Sequence, residues 1–186
     1  MKKILLTLCM FSPFVGTRAQ STVYVADSCK IMFFSATPVE NIVATNKTSR
    51  PVLNTATGEI QIKIAIKAFV FPQPLMQEHF NENYMESDKF PNSIFKGKIN
   101  EKVDYTKDGD TEVTVTGKME VHGVTKDATI KGTLSVKGQQ ILVQTSFPIH
   151  IADYNIKVPG VNSGKIAEDV LVKMNASLKP FVQKNK

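Results

Sequence analysis

Three histidines, one cysteine beyond the N-terminal apolar run and one serine flanked by carboxylates are the side chains with a capacity for catalysis. Glu78 and His79 stand side by side, but no second histidine follows at helical spacing, so the two-His, one-Glu pattern of a zinc hydrolase is not formed. A metal-dependent hydrolase built on His79, His122 and His150 would need the three to converge from a helix, a turn and the polar face of a strand. His79 reads more simply as a helix-face or mouth residue pairing with a glutamate or a phosphate group. Ser87 lies between Glu86 and Asp88 with no histidine near it in sequence, and there is no G-x-S-x-G elbow. No glycine-rich phosphate loop is present either, so no cofactor and no metal are implied. Cys29 shares strand parity with Ile31 and Phe33 and reads as a small buried hydrophobe, not a reactive thiol. These spacings predict a protein that is not an enzyme.

The apolar residues are better organised than the polar ones. The stretch LMQEHFNENYMESDKFPNSIFKG, Leu75 to Gly97, opens with Leu75, Met76, Phe80, Tyr84 and Met85 on one face and Gln77, Glu78, Asn81 and Glu82 between them. That spacing predicts a short amphipathic helix over 75–85. It is the one helix expected in a chain that otherwise alternates with period two, and a lone helix over a sheet is a lid or a plug.

The strands that must hold this helix are read from Val23 onward. Val23–Ala26 and Cys29–Ala36 come first, Pro38 interrupts, and Ile42–Thr45 is a short extended piece within a region, 37–57, whose structure the sequence leaves open. Ile60, Ile62, Ile64 and Ile66 then mark one face of a half-buried strand. Its parity changes at Phe69 and Phe71, which predicts a bulge or two-sided burial near Lys67–Ala68. Phe95, Gly97, Ile99, Val103 and Tyr105 share the next face, and Lys107–Asp110 is expected as a hairpin turn. Val113, Val115, Gly117, Met119 and Val121 precede a break at His122–Gly123. Val124, Ala128, Ile130, Gly132, Leu134 and Val136 return, followed by Ile141, Val143, Thr145, Phe147, Ile149 and Ile151. The last face carries Ile166, Val170, Val172, Met174, Ala176 and Leu178.

Lys2 and Lys3 before an apolar run, Ile4–Val15, and a small-x-small site at Thr17–Ala19 predict a cleavable signal peptide over 1–19. The run is too short to span a bilayer, and Cys9 lies too near its start for a lipid anchor. A periplasmic or secreted location is the expectation. Removing the first 19 of 186 residues leaves 167, and losing Lys2, Lys3 and Arg18 reduces 23 basic residues to 20 against 17 acidic. The remaining lysines are scattered, which argues against a nucleic-acid partner. With one mature cysteine no internal disulfide forms. The N-x-S/T matches at Asn46 and Asn175 read as chance. Residues 20–179 are expected as one domain and 180–186 as a frayed tail.

About eight alternating strands joined by short turns argue for an all-β chain with one short helix: an antiparallel sheet closed into a barrel to remove its edges. Such a barrel is either filled by side chains or holds one small ligand. Small inward residues such as Gly97, Gly117, Gly132, Ala128 and Ala176 favour space, and the phenylalanines favour filling. A solid barrel acting as a protein interaction module is therefore the alternative to a carrier.

The helical stretch, followed by GKMEVHGVTKDATIKGTLSV and then DYNIKVP, resembles in order and spacing the YceI-like family of exported lipid-binding proteins. The resemblance covers essentially the whole mature chain. It implies an extended eight-stranded, lipocalin-like antiparallel β-barrel with a helix near one end and an elongated apolar cavity for a polyisoprenoid or other long-chain amphiphile. It carries over Phe69, Leu75, Met76, Phe80, Tyr84 and Phe95 as ligand-binding positions, and His122, Gly123, Val124 and Thr125 as the residues of a fixed turn. Inward parity adds Phe71, Val113, Val115, Met119, Phe147 and Ile149 to the ligand-binding set. Transient contact with a membrane surface and pairing of two barrels are compatible with this reading. The chain departs from the commoner pattern before Gly58, where it carries ATPVENIVATN.

Overall fold

The computed structural model describes residues 22–160 and 164–182; the predicted signal segment and the last four residues lie outside them. Ten elements carry the architecture: β1 (Val23–Ala36), β2 (Asn41–Asn46), β3 (Val52–Asn54), β4 (Glu59–Ala65), α1 (Pro74–His79), β5 (Asn92–Ile99), β6 (Gly109–Val121), β7 (Val124–Lys137), β8 (Gln140–His150) and β9 (Asp169–Pro180). The sheet runs β2-β1-β3-β4-β5-β6-β7-β8-β9, and β1 also pairs with β9, which closes it into a barrel. Every pairing is antiparallel. β2 lies against Ile31–Ala36 and β3 against Val23–Val25 on the same edge of β1, so nine strands form eight staves.

The two expected first strands are one. A register shift between Ala26 and Ser28 keeps β1 paired with β9 along both halves. That bulge explains the gap in the alternation that divided the strand in the sequence.

The parity change after Ile66 is a 3₁₀ turn, Ile66–Ala68, not a bulge. Phe69 donates its N–H to the Ile66 carbonyl at 3.1 Å. The turn rotates the chain so that Ile66, Phe69 and Phe71 are all buried, while Val70 is 64% exposed. The turn expected at Lys107–Asp110 is instead the end of a longer loop and the start of β6. β5 ends at Ile99 and β6 begins at Gly109, so the connection is 100–108. Asp104 accepts the Thr106 N–H at 3.0 Å, and Glu101 accepts the Thr114 N–H at 2.6 Å. The Asp104 bonds make a turn within the loop, and the Glu101 bond ties the loop to β6; the Thr106 hydroxyl and then its N–H hold the Asp104 carboxyl below its ordinary value, and the Thr114 N–H does the same for Glu101. The last strand starts at Asp169, so Ile166 precedes it; Pro180, expected in the frayed tail, ends β9, and the Phe181 N–H donates to Val23 at 2.8 Å.

Between the β2/β3 stave and β4 the ladder is interrupted. Val52–Asn54 pairs with Glu59–Gln61, and Thr45 pairs with Val70. Asn46, fully buried, fills the interval. Its Nδ2 donates to the Ala65 carbonyl at 2.9 Å, and its Oδ1 accepts from the Thr48 N–H at 2.8 Å and the hydroxyls of Thr48 and Ser49. A glycan has no place there. Replacing Asn46 with alanine orphans the Ala65 carbonyl and the 48–49 donors, and is expected to cost about 3 kcal/mol, read as a lower urea midpoint.

The two ends of the barrel differ. One end carries the 55–58 turn, the 100–108 loop and the 138–139 turn. Tyr24, Leu53, Leu134, Ile141 and Leu178 pack solidly behind it. Cys29 lies among them, buried, and desolvation pushes its thiol up to about 11. Alkylation of the native protein near neutral pH is therefore expected to be far slower than alkylation of the urea-unfolded chain, as read by thiol titration. The other end carries α1, the Thr37–Glu40 turn, the His122–Gly123 turn and the segment after β8.

Candidate functional site: an apolar cavity under a helical cap

The half of the barrel behind α1 is hollow. A cavity of about 470 Å³ runs inward from that end, within the range of about 300–1,000 Å³ common to small-molecule sites. Its walls are the inward side chains of the staves, among them Ile31 and Phe33 of β1, Ile60 and Ile62 of β4, and Val172 and Met174 of β9. The solid and hollow readings of the barrel are thus each true of one half.

The cap spans 74–84 but is not one regular helix. Pro74 opens α1 at its first position, where a missing N–H costs nothing. After His79 the chain continues as a π turn, Phe80–Tyr84, with the Met85 N–H reaching the Phe80 carbonyl at 2.9 Å. The wider turn places Phe80 and Tyr84 together on the cavity side. Phe80 is the anchor: its ring lies 5.3 Å from Phe33 in a stacked arrangement, 4.9 Å from Phe71 and 5.8 Å from Phe69. The Phe71 N–H donates to Gln77 Oε1 at 3.2 Å, a second stitch between cap and wall.

Each of the twelve ligand-binding positions expected from the sequence lines this cavity. Phe69, Phe71, Phe80 and Tyr84 gather beneath the cap. Met76 is half-buried beside them, and Leu75 stands at the rim, 59% exposed. Phe95, Val113, Val115 and Met119 face in from β5 and β6, and Phe147 and Ile149 from β8. Phe33 is not among the positions expected from the sequence, although it meets Phe69 and Phe71 of the wall and Phe80 of the cap. Its signal was parity with Ile31 on β1. Glu40, Gln73, His79 and Lys165 make a polar rim at the open end, and only His79 of these was singled out in the sequence.

The histidines do not assemble a metal centre. His122 Nδ1 lies 3.1 Å from the Tyr154 carbonyl and its Nε2 3.0 Å from Glu86 Oε2. His150 pairs with Asp169 at 3.0 Å, and His79 is at the rim. Among the described residues no cluster of three histidine, cysteine or carboxylate side chains is placed to hold a metal ion.

His122 instead ties three segments together. With Gly123 it forms a turn in which both residues have positive φ, +50° and +73°, as a two-residue hairpin requires. Its ring meets Phe90 edge-on at 4.5 Å. The turn, the chain after the cap and the 3₁₀ turn Ile151–Tyr154 are thereby joined, while Val124 and Thr125, expected in the same turn, begin β7. Burial raises the Tyr154 hydroxyl, and the hydrogen bond from Lys126 at 2.7 Å lowers the Asp153 carboxyl. Among the described residues no helix is long and apolar enough to cross a membrane.

This barrel has known counterparts. A polyisoprenoid binding domain from Saccharophagus degradans, implicated in plant cell wall breakdown, superposes with a TM-score of 0.74 at 16% identity, over 87% of this chain and 100% of that one. BcnA of Burkholderia cenocepacia gives 0.68 at 16% identity over 80% and 95%, and a Campylobacter jejuni YceI protein 0.57 at 12% over the full length of both. At such identities the likeness is one of fold. No curated protein matches the chain. The sequence profile of the YceI-like domain, however, matches residues 19–178, which takes in all eight staves, the cap and the His122 turn, and the chain therefore belongs to the YceI-like domain family.

Proposed function

We propose that this protein is an exported carrier that holds a polyisoprenoid or other long-chain amphiphile in the hollow half of its barrel, without chemistry. The observation that carries the reading is the cavity of about 470 Å³ walled by isoleucine, valine, methionine and phenylalanine, with polar side chains gathered at its rim. Support also comes from the Saccharophagus domain, which is described as polyisoprenoid-binding.

Burial of an apolar chain contributes about 0.8 kcal/mol per CH₂ relative to water, with no hydrogen bond required. Such a ligand resides in a membrane, however, and passage from bilayer to barrel exchanges one apolar medium for another. Net affinity then comes from fit, from the head group at the rim, and from how the cap opens near a surface. In this reading the twelve lining positions contact the chain, α1 and its π turn form the lid, and Glu40, His79 and Lys165 face the head group. Val39 and Leu75, exposed at the same end, are suited to transient contact with a bilayer. Residues 1–19 direct export, and a mature mass beginning at Gln20 tests that step.

Titration of delipidated protein with dansyl-labelled geranylgeraniol tests the carrier reading. One probe per chain, displaced by unlabelled long-chain alcohol and not by a short one, is expected. Failure to bind any long-chain probe moves the reading to the interaction module.

A further inference from the structure

Among the described residues, β7 and β8 are two long neighbouring staves that part company along about half their length. Their ladder runs from Lys137↔Gln140 only as far as Gly132↔Thr145, all at the solid end. From there toward the cap, Val124–Lys131 pairs with β6 alone and Ser146–His150 with β9 alone. Two strand edges face one another unpaired among the described residues. The gap has a definite start and finish. Thr145 Oγ1 donates to the Lys131 carbonyl at 2.6 Å beside the last rung, and Lys126 pairs with Asp153 at 2.7 Å near the far end.

The gap opens onto the cavity, because Lys131, Ile130, Gly132, Thr145, Phe147 and Ile149 all line it. The edges are also chemically prepared to stay apart. Extending the register across the gap would set Thr129 opposite Pro148, and proline cannot donate to a ladder. Lys126, Asp127 and Lys131 line the β7 side with exposed charge, the usual protection of an unpaired edge. A strand pair that merely frayed would need neither device.

We propose that this slit is a side portal through which the apolar chain of the bound amphiphile enters and leaves, so that the chain can pass between the barrel and a bilayer without the whole ligand crossing the cap. The inference rests on the carrier reading above. It adds that α1 closes over the head-group end while the hydrocarbon moves laterally between Ile130 of β7 and Phe147 of β8. The occupant is the ligand's own hydrocarbon and not a peptide strand: the inner lips of the slit are apolar side chains continuous with the cavity, whereas an added strand would need a flat run of unpaired amides without charge or proline.

The test staples the slit. Thr129→Cys with Pro148→Cys places two outward-facing thiols at opposed register positions, outside the lining of the cavity. The oxidised protein is loaded with dansyl-labelled geranylgeraniol and mixed with phosphatidylcholine vesicles. Release is expected to slow by about tenfold relative to the reduced form and to recover on reduction, with equilibrium probe binding unchanged. If the two thiols do not join, Thr129→Cys carrying a bulky maleimide adduct obstructs the slit from outside and must slow release likewise. Equal release rates in blocked and open forms overturn the portal and leave the cap as the route, with the carrier reading intact. Failure of every form to bind the probe overturns both.

Discussion

Replacing Phe80 with aspartate is expected to abolish retention of a long-chain amphiphile and to leave the barrel folded. Phe80 of the cap makes ring contacts with all three wall phenylalanines, Phe33, Phe69 and Phe71. Each such aromatic pair contributes about 0.5–1.5 kcal/mol beyond its area burial. A carboxylate in their place cannot stay in an apolar cavity uncompensated, because desolvation disfavours the ion strongly. The cheaper response is for the cap to swing out, since loops on both sides connect it to the walls. The barrel survives because its solid end, packed around Leu53, Leu134, Ile141 and Leu178, has no part of the cap in it. Lipid content after purification, read beside the far-ultraviolet circular dichroism spectrum, checks both halves of this expectation. A variant with a native spectrum and unchanged lipid content would show that the cap is not a gate.

The second large effect is on folding. Gly97 of β5 and Gly117 of β6 are direct partners across the ladder, and the two strands cross closely at that point. A Cβ on Gly117 would run into the Lys96 carbonyl oxygen and the Gly97 Cα, which are backbone atoms with no rotamer to give. One on Gly97 would meet the Thr116 carbonyl oxygen at 2.9 Å and Phe95 Cζ at 2.7 Å. Gly117→Ala must therefore push the strands apart, which loosens hydrogen bonds on both sides of the collision. We expect a loss of about 3 kcal/mol or more. For a domain of this size that lowers the midpoint of thermal unfolding by about 6–12 °C. Gly138→Ala is the control. That glycine has φ +58° but open space around it, so only the conformational strain of about 1 kcal/mol applies. Equal stability of the two variants would show that the strands do not approach as closely as described.

How much of this was legible in the sequence follows from the range of the interactions. The alternating isoleucines of β4 and the valines of β6 declared their faces, because inward and outward parity is set residue by residue along one strand. The amphipathic spacing of Leu75, Met76, Phe80 and Tyr84 likewise marked the cap, although nothing local showed that its second half is a π turn. The resemblance carried by the 117–136 stretch placed His122 in a turn, but not its reach to Glu86 and Tyr154, which lie 36 and 32 residues away.

What stayed hidden depends on which segments meet. Asn46 reads as a chance N-x-S/T match with no structural role until Ala65 is brought beside it. The division of one stave into β2 and β3 follows from β1 being long enough to pair with both. Parity also says nothing about depth, which is why solid and hollow barrels could not be separated from the inward residues. Leu53 and Leu134 fill one half, whereas Ile62 and Val115, of the same parity class on their own strands, face space in the other. The slit between β7 and β8 left a trace in Pro148 and the neighbouring lysines, but a proline within a strand signals an edge without saying what opens beside it.

The central claim is that the hollow half of the barrel holds an apolar chain. Native mass spectrometry of the protein purified from its own cells, with organic extraction of whatever is bound, tests it most directly. One isoprenoid or other long-chain lipid per chain is expected. A clean apo mass that remains clean after incubation with lipid vesicles would contradict it and leave a barrel that works through its outer surface.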